Sequence, residues 1–491
     1  MNDTNVKLSV REKIGYSLGD LSANLIFQTL MTFLAFFYTD VYKVPPAAAS
    51  AIIFTGGMIG AFFNPFMGMI ADRTYTRWGK FRPWILWTAL PFGIMAILAF
   101  STPDFGIKGK IAYALITYVL LVLVYSANNL PYAALSGVLT GNIAERNSIS
   151  SYRFVAVMVA QFIVQVLLLP LVLILGDGDQ TKGFENTMGI FAGVGVLFFI
   201  ITFLTTRERV VPKPEQKSSI RDDLGDLVRN KPWIAMLIIT VFIFITLSMK
   251  GGSYVYYFEN YLSEGHLAAF LDNIGFNGLI DGLNNLLTRI GLHGFQWPED
   301  APTSGFSLFN AGGIIFMIVG IIFSKGLADR FGKRDVFGVG LFLSALCLLA
   351  FAFYPPEKVG IVFVTQILHG FFYGLTIPLL WAMIADVADF SEWKNKRRAT
   401  AIIFSAMIFG LKAGLSIGGA LVAGILAGYG YDESLTVQAP EVINGIKMLV
   451  SVFPTLTFMV SVACLFFYAI DKKMEVRIES ELSQRRKSEE S

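Results

Sequence analysis

The chain has 491 residues, of which 54% are hydrophobic and 15% charged, with 44 Phe and a mean hydropathy of +0.60. Soluble domains carry about a quarter charged residues, so this composition excludes one and places the chain in a membrane. The formal net charge is +3 and the basic residues lie in short loops, which leaves nucleic-acid binding without support.

Apolar runs of about 20 residues, enough to cross a bilayer, fall at roughly 16–40, 46–71, 83–101, 109–136, 152–176 and 187–206. A second set falls at roughly 233–262, 306–328, 336–354, 358–385, 399–428 and 443–471. Twelve runs in two sets of six predict an all-α polytopic membrane protein. Its expected parts are a six-helix bundle over 1–206, a cytoplasmic linker over 207–232, a second bundle over 233–471 with an insertion at about 263–305, and a cytoplasmic tail over 472–491. Residues 1–13 are polar and the apolar run after them is long enough to span, so no cleavable signal peptide is expected. Cys347 and Cys464 lie inside apolar runs and read as small packing residues rather than as a disulfide or metal site.

Between the second and third runs lies Gly68–Trp84, GMIADRTYTRWGKFRPW, in which Arg73, Arg77, Lys80 and Arg82 surround Asp72. Short loops rich in Lys and Arg stay on the cytoplasmic side. Asp72 with Gly68 and Gly79 suits a tight, hydrogen-bonded turn between helices. The stretch is echoed at Gly326–Arg334, GLADRFGKR, with Asp329, Arg330, Lys333 and Arg334. Two copies of one loop predict two copies of one bundle. Further basic clusters at 7–13, 207–231 and 394–398, and in the tail after Lys472, fall on the same side as these loops if both termini are cytoplasmic. The loops at 102–109 and 176–185, on the other side, lack such clusters. Asp72 and Asp329 are expected to act as latches, holding neighbouring helix ends in one state and releasing them in another. Within the insertion, Leu279, Leu283, Leu286, Leu287 and Ile290 recur at helical spacing, with Asp281, Asn284, Asn285 and Arg289 elsewhere around the helix. This reads as an amphipathic helix on the membrane surface or over the protein, with a lid over the outer mouth as the sharper alternative.

Polar groups inside a bilayer are costly and face a cavity or a partner, so each is a functional candidate. Asp20, Asn24 and Gln28 are spaced by fours on the first span, one stripe of a helix. Tyr125, Asn128, Asn129, Tyr132 and Ser136 share one face of the fourth. The fifth has Arg153, Gln161 and Gln165, and the seventh has Lys250 with Tyr254, Tyr257 and Tyr261. The tenth carries Gln366, His369 and Tyr373, where His369 reads as a packing residue, and the eleventh carries Ser405, Lys412 and Ser416. A single Asn or Gln often serves only as interhelical glue, and Arg153 lies near a helix end from which it can snorkel. Lys412 sits among Gly410, Gly414 and Gly418, which permit close approach of a neighbouring helix. Asp20 and Lys412 are therefore expected to pair across the two bundles. Amides, hydroxyls and aromatic rings lining one cavity suit a polyhydroxylated ligand. No nucleophile–base set stands at a usable spacing, so an enzyme is not expected.

At this point the motifs become specific. Gly326–Arg334 resembles the cytoplasmic loop signature of the major facilitator superfamily. DRTYTRWGKFRPWI (Asp72–Ile85) is similar, more narrowly, to the glycoside–pentoside–hexuronide:cation symporters, the melibiose-permease-like group. FYTDVY (Phe37–Tyr42), NNLPYAALSG (Asn128–Gly137), SSYRF (Ser150–Phe154), KGGSYVYYFENYL (Lys250–Leu262) and the segment Trp381–Ala406 extend the match over nearly the whole chain outside the insertion. The resemblance implies two pseudo-symmetric six-helix bundles of the major facilitator fold, alternating access, and sugar uptake driven by sodium, proton or lithium. It places Asp20 and Arg153 at the sugar, Asn129 where the group carries a sugar-site Asp, Lys412 near the cation site, and Ala133 where an aromatic residue is usual. Sodium-coupled members carry DxxxDP in the second span, whereas this chain reads GAFFNP, with Gly60 and Asn64 before Pro65. With Asn129 also neutral, three acidic groups are gone, and Asn64 offers an oxygen without a charge.

The expectation is thus a sugar symporter coupled to the proton rather than to sodium. Expected substrate contacts are Asp20, Asn24, Tyr125, Asn128, Asn129, Tyr132, Arg153, Lys250, Tyr254 and Lys412. Coupling is expected at Asp20, Asn64, Asn129 and Lys412, and gating at Asp72, Arg73, Arg77, Lys80, Asp329, Arg330, Lys333 and Arg334. A facilitated-diffusion carrier, an exporter of the same fold and a non-transporting sugar sensor remain as alternatives. No cofactor is expected beyond the coupling cation, H+ or Na+. The partners are a small sugar and the lipid bilayer, and the expected form is a monomer in a bacterial inner membrane with both termini cytoplasmic.

Overall fold

A computed structural model describes residues 7–140, 142–209, 230–395, 400–435 and 437–490. The greater part of the linker and the basic residues at 396–398 lie outside the described residues. Among the described residues, twelve helices are long and apolar enough to cross a membrane. They are Val10–Val41, Pro46–Asp72, Arg82–Ala99, Ile107–Leu139, Glu145–Gly176 and Gln180–Thr205, then Lys231–Tyr261, Ala301–Phe331, Lys333–Phe353, Val359–Lys394, Ile403–Gly428 and Pro440–Phe467. All twelve runs read from hydropathy are present, and several helices extend past their apolar core by one or two polar turns. Side-chain caps start several of them. Ser9, Asp179, Asn230 and Asp300 each accept a backbone N–H from the first turn of the span that follows.

In the first half, span 1 packs on spans 5 and 6, span 2 on span 4, and span 3 on spans 4 and 6. The second half repeats the scheme, with span 7 on spans 11 and 12, span 8 on span 10, and span 9 on spans 10 and 12. The halves meet along spans 1 and 7, spans 2 and 11, and spans 5 and 8. Spans 1 and 7, each the first of its half, both end in a widened π turn, Phe37–Val41 and Tyr257–Tyr261. With an even number of crossings, both described ends of the chain lie on one face, here called the terminal face; the insertion lies on the other.

The glycines of span 11 do bring a neighbour close, and that neighbour is span 7. A Cβ on Gly414 would lie 2.4 Å from the Val241 carbonyl oxygen, and one on Gly418 2.4 Å from that of Ile245. The approach delivers backbone, not a carboxylate.

The two echoed loops differ in build. Gly68 and Gly326 both lie inside their spans rather than in the turns. In the first half, residues 73–81 make a looped turn in which Thr76 and Gly79 pair, with Gly79 at a φ of +115°. The Glu208 carboxylate accepts the N–H groups of Lys80, Phe81 and Arg82 at 2.8, 2.7 and 2.9 Å and so caps the third span. In the second half the turn is the single residue Gly332, at a φ of +95°. A residue with a side chain would be strained there.

The insertion holds two helices, Glu264–Asn273 and Phe276–Arg289, where the spacing predicted one. The first buries Leu267 and Leu271, and its Phe270 packs on Phe363 of span 10. The second, which carries the predicted leucine stripe, has no buried residue, and Leu279, Leu286 and Ile290 are exposed.

Candidate functional site

A cavity of about 270 Å³ lies between the halves, walled by spans 1, 5, 7, 8 and 10. Span 1 presents Asn24, Gln28 and Thr32, which continue the four-residue stripe begun at Asp20. Span 5 adds Gln161 and Gln165, and a π turn at Ile163–Leu167 interrupts the helix there. The second half adds Lys250 and Tyr254 from span 7, Asn310 from span 8, and Gln366, His369 and Tyr373 from span 10. The polar groups of the wall are thus chiefly amides and phenols, set among apolar side chains such as Phe27, Met31, Phe244 and Met317. Tyr254 donates to Gln366 Oε1 at 3.3 Å, and Lys250 Nζ lies 2.8 Å from His369 Nε2. His369 is fully buried, with its ring nitrogens satisfied by Lys250 and the Ser344 carbonyl oxygen. Sequence reasoning singled out neither Asn310 nor Thr32; Thr32 was legible as the next member of the Asp20 stripe.

Asp20 and Arg153 lie beside this cavity and pair with each other at 2.8 Å. Asn24 Nδ2 donates to the backbone oxygen of Asp20 at 2.8 Å and to its carboxylate at 3.3 Å. The Arg153 guanidinium sits over the rings of Tyr16 and Tyr132, which stack with centroids 4.6 Å apart. The expected Asp20–Lys412 pair is not formed, because Arg153, on a span packed directly against span 1, reaches the carboxylate first.

The fourth span corrects another expectation. Its polar face turns toward its own bundle, not toward the central cavity. Asn128 is buried and donates to Thr88 Oγ1 of span 3 at 2.8 Å. Tyr132 is fully buried, and its hydroxyl donates to the Tyr16 carbonyl oxygen at 2.7 Å. Asn129 is half-buried and lines neither cavity. Tyr125 and Lys412 line a second, smaller cavity of about 90 Å³ between spans 1, 2, 4, 7 and 11. There Lys412 Nζ donates to Asn64 Oδ1 at 2.7 Å and lies 5.6 Å from the Tyr125 ring centroid. The structure brings Asn64 and Lys412 together as a cross-half contact and keeps them apart from the Asp20–Arg153 pair.

The two faces of the molecule are held differently. On the insertion face, hydrogen bonds join the halves. The hydroxyls of Thr39 and Tyr256 are 2.7 Å apart, Tyr431 donates to the Asp40 carboxylate, and Lys43 Nζ donates to the Glu433 carbonyl oxygen at 2.6 Å. On the terminal face, the ion pairs among the described residues each stay within one half. Lys13 meets Glu145 at 2.8 Å, Arg209 meets Glu12 at 2.7 Å, and Lys333 meets both Asp386 and Glu475 at 2.8 Å. Hydrogen bonds between the halves thus close the insertion face above the central cavity.

The predicted latches are placed accordingly. Asp72 pairs with Lys80 across its own loop at 2.8 Å and is 67% exposed. Arg73 and Arg77 are exposed, and Arg77 stacks over Trp78. Asp329 is exposed, and it is its backbone oxygen that accepts from Lys472, at 2.7 Å. Arg330 lies over Phe331, and Arg334 reaches its neighbour Asp335 at 3.2 Å. Of this set, Lys333 alone is held by two carboxylates, those of Asp386 and Glu475, which the sequence reading did not include.

The model of the MFS/sugar transport protein family matches residues 15–291 and 302–472. The chain belongs to this family. Its members are transporters rather than enzymes, and twelve spans in two six-helix bundles are the major facilitator fold. The chain is 34% identical to the inner membrane symporter YicJ of Escherichia coli (strain K12), over 92% of this chain and 90% of that one. It is 30% identical to the isoprimeverose transporter of Lactiplantibacillus pentosus, over 97% and 92% of the two chains. A solved bacterial homologue of the human lysosomal transporter Spinster, inward-facing and unoccupied, superposes with a TM-score of 0.60 at 14% identity, covering 96% of this chain and 99% of that one. This likeness concerns the fold alone. Family membership establishes a sugar transporter, and the spans with the inner-membrane relatives establish a multi-pass protein of the inner membrane.

Proposed function

We propose that the protein takes up a glycoside, pentoside or hexuronide by cation symport, through alternating access, with the proton as the coupling cation. The observation that carries this reading is the central cavity: amides from both halves and phenols from the second meet around a volume suited to a small polyol. The words glycoside/cation symporter, isoprimeverose transporter and glucuronide carrier in the names of relatives support that class without choosing within it. Basic loops on the terminal face support a cytoplasmic placement of both termini.

The choice of proton over sodium rests on the second-span region. A sodium ion needs several hard oxygens with charge to offset its own. Asn64 offers one amide oxygen, and Lys412 already donates to it at 2.7 Å. A lysine ammonium thus occupies the place of a mobile cation. Asp20, held by Arg153, orients sugar hydroxyls next to Asn24 in this scheme.

The test is uptake of a panel of labelled sugars into proteoliposomes with the proton and sodium gradients imposed separately. Accumulation with the proton gradient alone is the expected result. Sodium-driven accumulation would overturn the choice of ion, and equilibration under both gradients would identify a facilitated-diffusion carrier.

A further inference from the structure

We propose that Lys250 and His369 form the pair that carries the coupling proton. The inference rests on the proton-coupled reading above and names the groups that perform it. His369 Nδ1 lies 3.2 Å from the Ser344 carbonyl oxygen, which can only accept. Nδ1 therefore holds the ring proton, and Nε2 turns its lone pair to Lys250 Nζ, 2.8 Å away. Both residues line the cavity, His369 fully buried and Lys250 half-buried. A proton enters or leaves the pair through the lysine.

Among the described residues, no carboxylate pairs with this lysine. Tyr254 on its own span and Tyr373 on span 10 place their rings 5.8 and 5.7 Å from Nζ. Gln366 bonds Tyr254, Phe458 of span 12 stacks on His369, and Cys347 of span 9 lies beyond Tyr254. Asn310 on span 8 and Gln161 and Gln165 on span 5 complete the surroundings, all neutral. Asp20 and Arg153, by contrast, neutralise each other at 2.8 Å. An amine in a membrane cavity without a counter-ion is the group whose charge is least secured, and its proton content answers to what fills the cavity.

Its position gives the second half of the argument. Gly251 and Gly252 follow Lys250, and a Cβ on either would come within 3.8 Å of the Met31 carbonyl oxygen of span 1. Lys250 therefore sits where spans of the two halves touch, at a contact that must slide when the cavity changes sides.

The cycle balances with one proton. From the outer side the Lys250 amine takes H+ and becomes an ammonium that donates to sugar hydroxyls and to His369 Nε2. Once the cavity faces inward and the sugar leaves, the ammonium passes H+ to cavity water. The neutral amine keeps its N–H donation to His369. The pair alternates between charges of +1 and 0, and one proton crosses with each sugar.

The experiment compares wild type, Lys250→Gln and His369→Gln in proteoliposomes, using the sugar that wild type accumulates and an entrapped pH dye. With a proton gradient imposed, both variants are expected to bring the sugar to equilibrium at most, and the pH change evoked by sugar is expected to vanish. Accumulation above equilibrium in either variant overturns the assignment. Where a variant does not exchange sugar at all, titration calorimetry of the purified protein in two buffers of different ionisation enthalpy reads the protons exchanged per sugar bound. That count is expected to differ from zero in wild type and to fall to zero in Lys250→Gln; an unchanged count overturns the assignment. If wild type itself only equilibrates sugar under a proton gradient, the coupled reading fails and this pair fails with it. Accumulation by wild type and variants alike removes the pair alone.

Discussion

The two halves share a scaffold and treat buried charge in opposite ways. In the first half, Asp20 and Arg153 form a closed pair, with Asn24 on the carboxylate and two tyrosine rings under the guanidinium. In the second, Lys250 and Lys412 bond only to neutral acceptors, His369 and Asn64, among the described residues. One repeat thus supplies a fixed polar wall and the other supplies cations without counter-ions. A paired charge is insensitive to its surroundings, because each partner already satisfies the other. An unpaired one is poised to change, which is the property that ion-coupled transport needs.

Breaking the closed pair should have the largest effect. Asp20→Asn leaves the Arg153 guanidinium without its carboxylate, and loss of one member of a buried pair costs on the order of 3 kcal/mol. A lower unfolding temperature and loss of uptake are expected together, and the double change Asp20→Asn, Arg153→Gln should restore much of the temperature but not the uptake. Equal instability of single and double variants would show that the pair is not what the charges serve.

The next effect concerns the joint that carries the second half's lysines. Gly414→Val drives a side chain into the Val241 carbonyl, 2.4 Å from the position of its first carbon. Overpacking of this kind costs about 1–3 kcal/mol, to be read as a fall in thermal stability. A variant as stable as wild type would mean that spans 7 and 11 separate more easily than their contact implies.

A smaller effect tests the closure on the insertion face. Tyr431→Phe removes the hydroxyl that donates to Asp40 and should weaken closure by about 1 kcal/mol, roughly a fivefold shift toward cavities open on that face. Thiol labelling of a cysteine placed at Thr32, applied from that face, should rise accordingly; unchanged labelling would place the closure elsewhere. Asp72→Asn should do least. That carboxylate is 67% exposed, and surface pairs contribute about 0–1 kcal/mol. Uptake by this variant within a factor of two of wild type is expected, whereas its loss would restore the latch role to the loop.

The fold was legible because the bilayer sets a length that each span must meet, and all twelve runs met it. The Asp20 stripe and the close approach at Gly414 were legible for a similar reason: both follow from helical periodicity within one element. What periodicity leaves open is the rotation of each helix about its axis. The fourth-span face is real, but Asn128 and Tyr132 turn it toward spans 3 and 1. Asp20 met Arg153 rather than Lys412 because spans 1 and 5 are direct neighbours, and spacing along a chain does not reveal which helices are adjacent. His369 read as packing for want of its partner Lys250, which stands 119 positions away in the chain.

The glycine contact between spans 7 and 11 has one more consequence. Where two backbones touch, there is no layer of side chains to slide, so the two helices turn as a single plank. That plank bears Lys250 on one edge and Lys412 on the other, each in its own cavity. A stroke that tilts it moves both lysines in the same instant, and the two chambers change shape together.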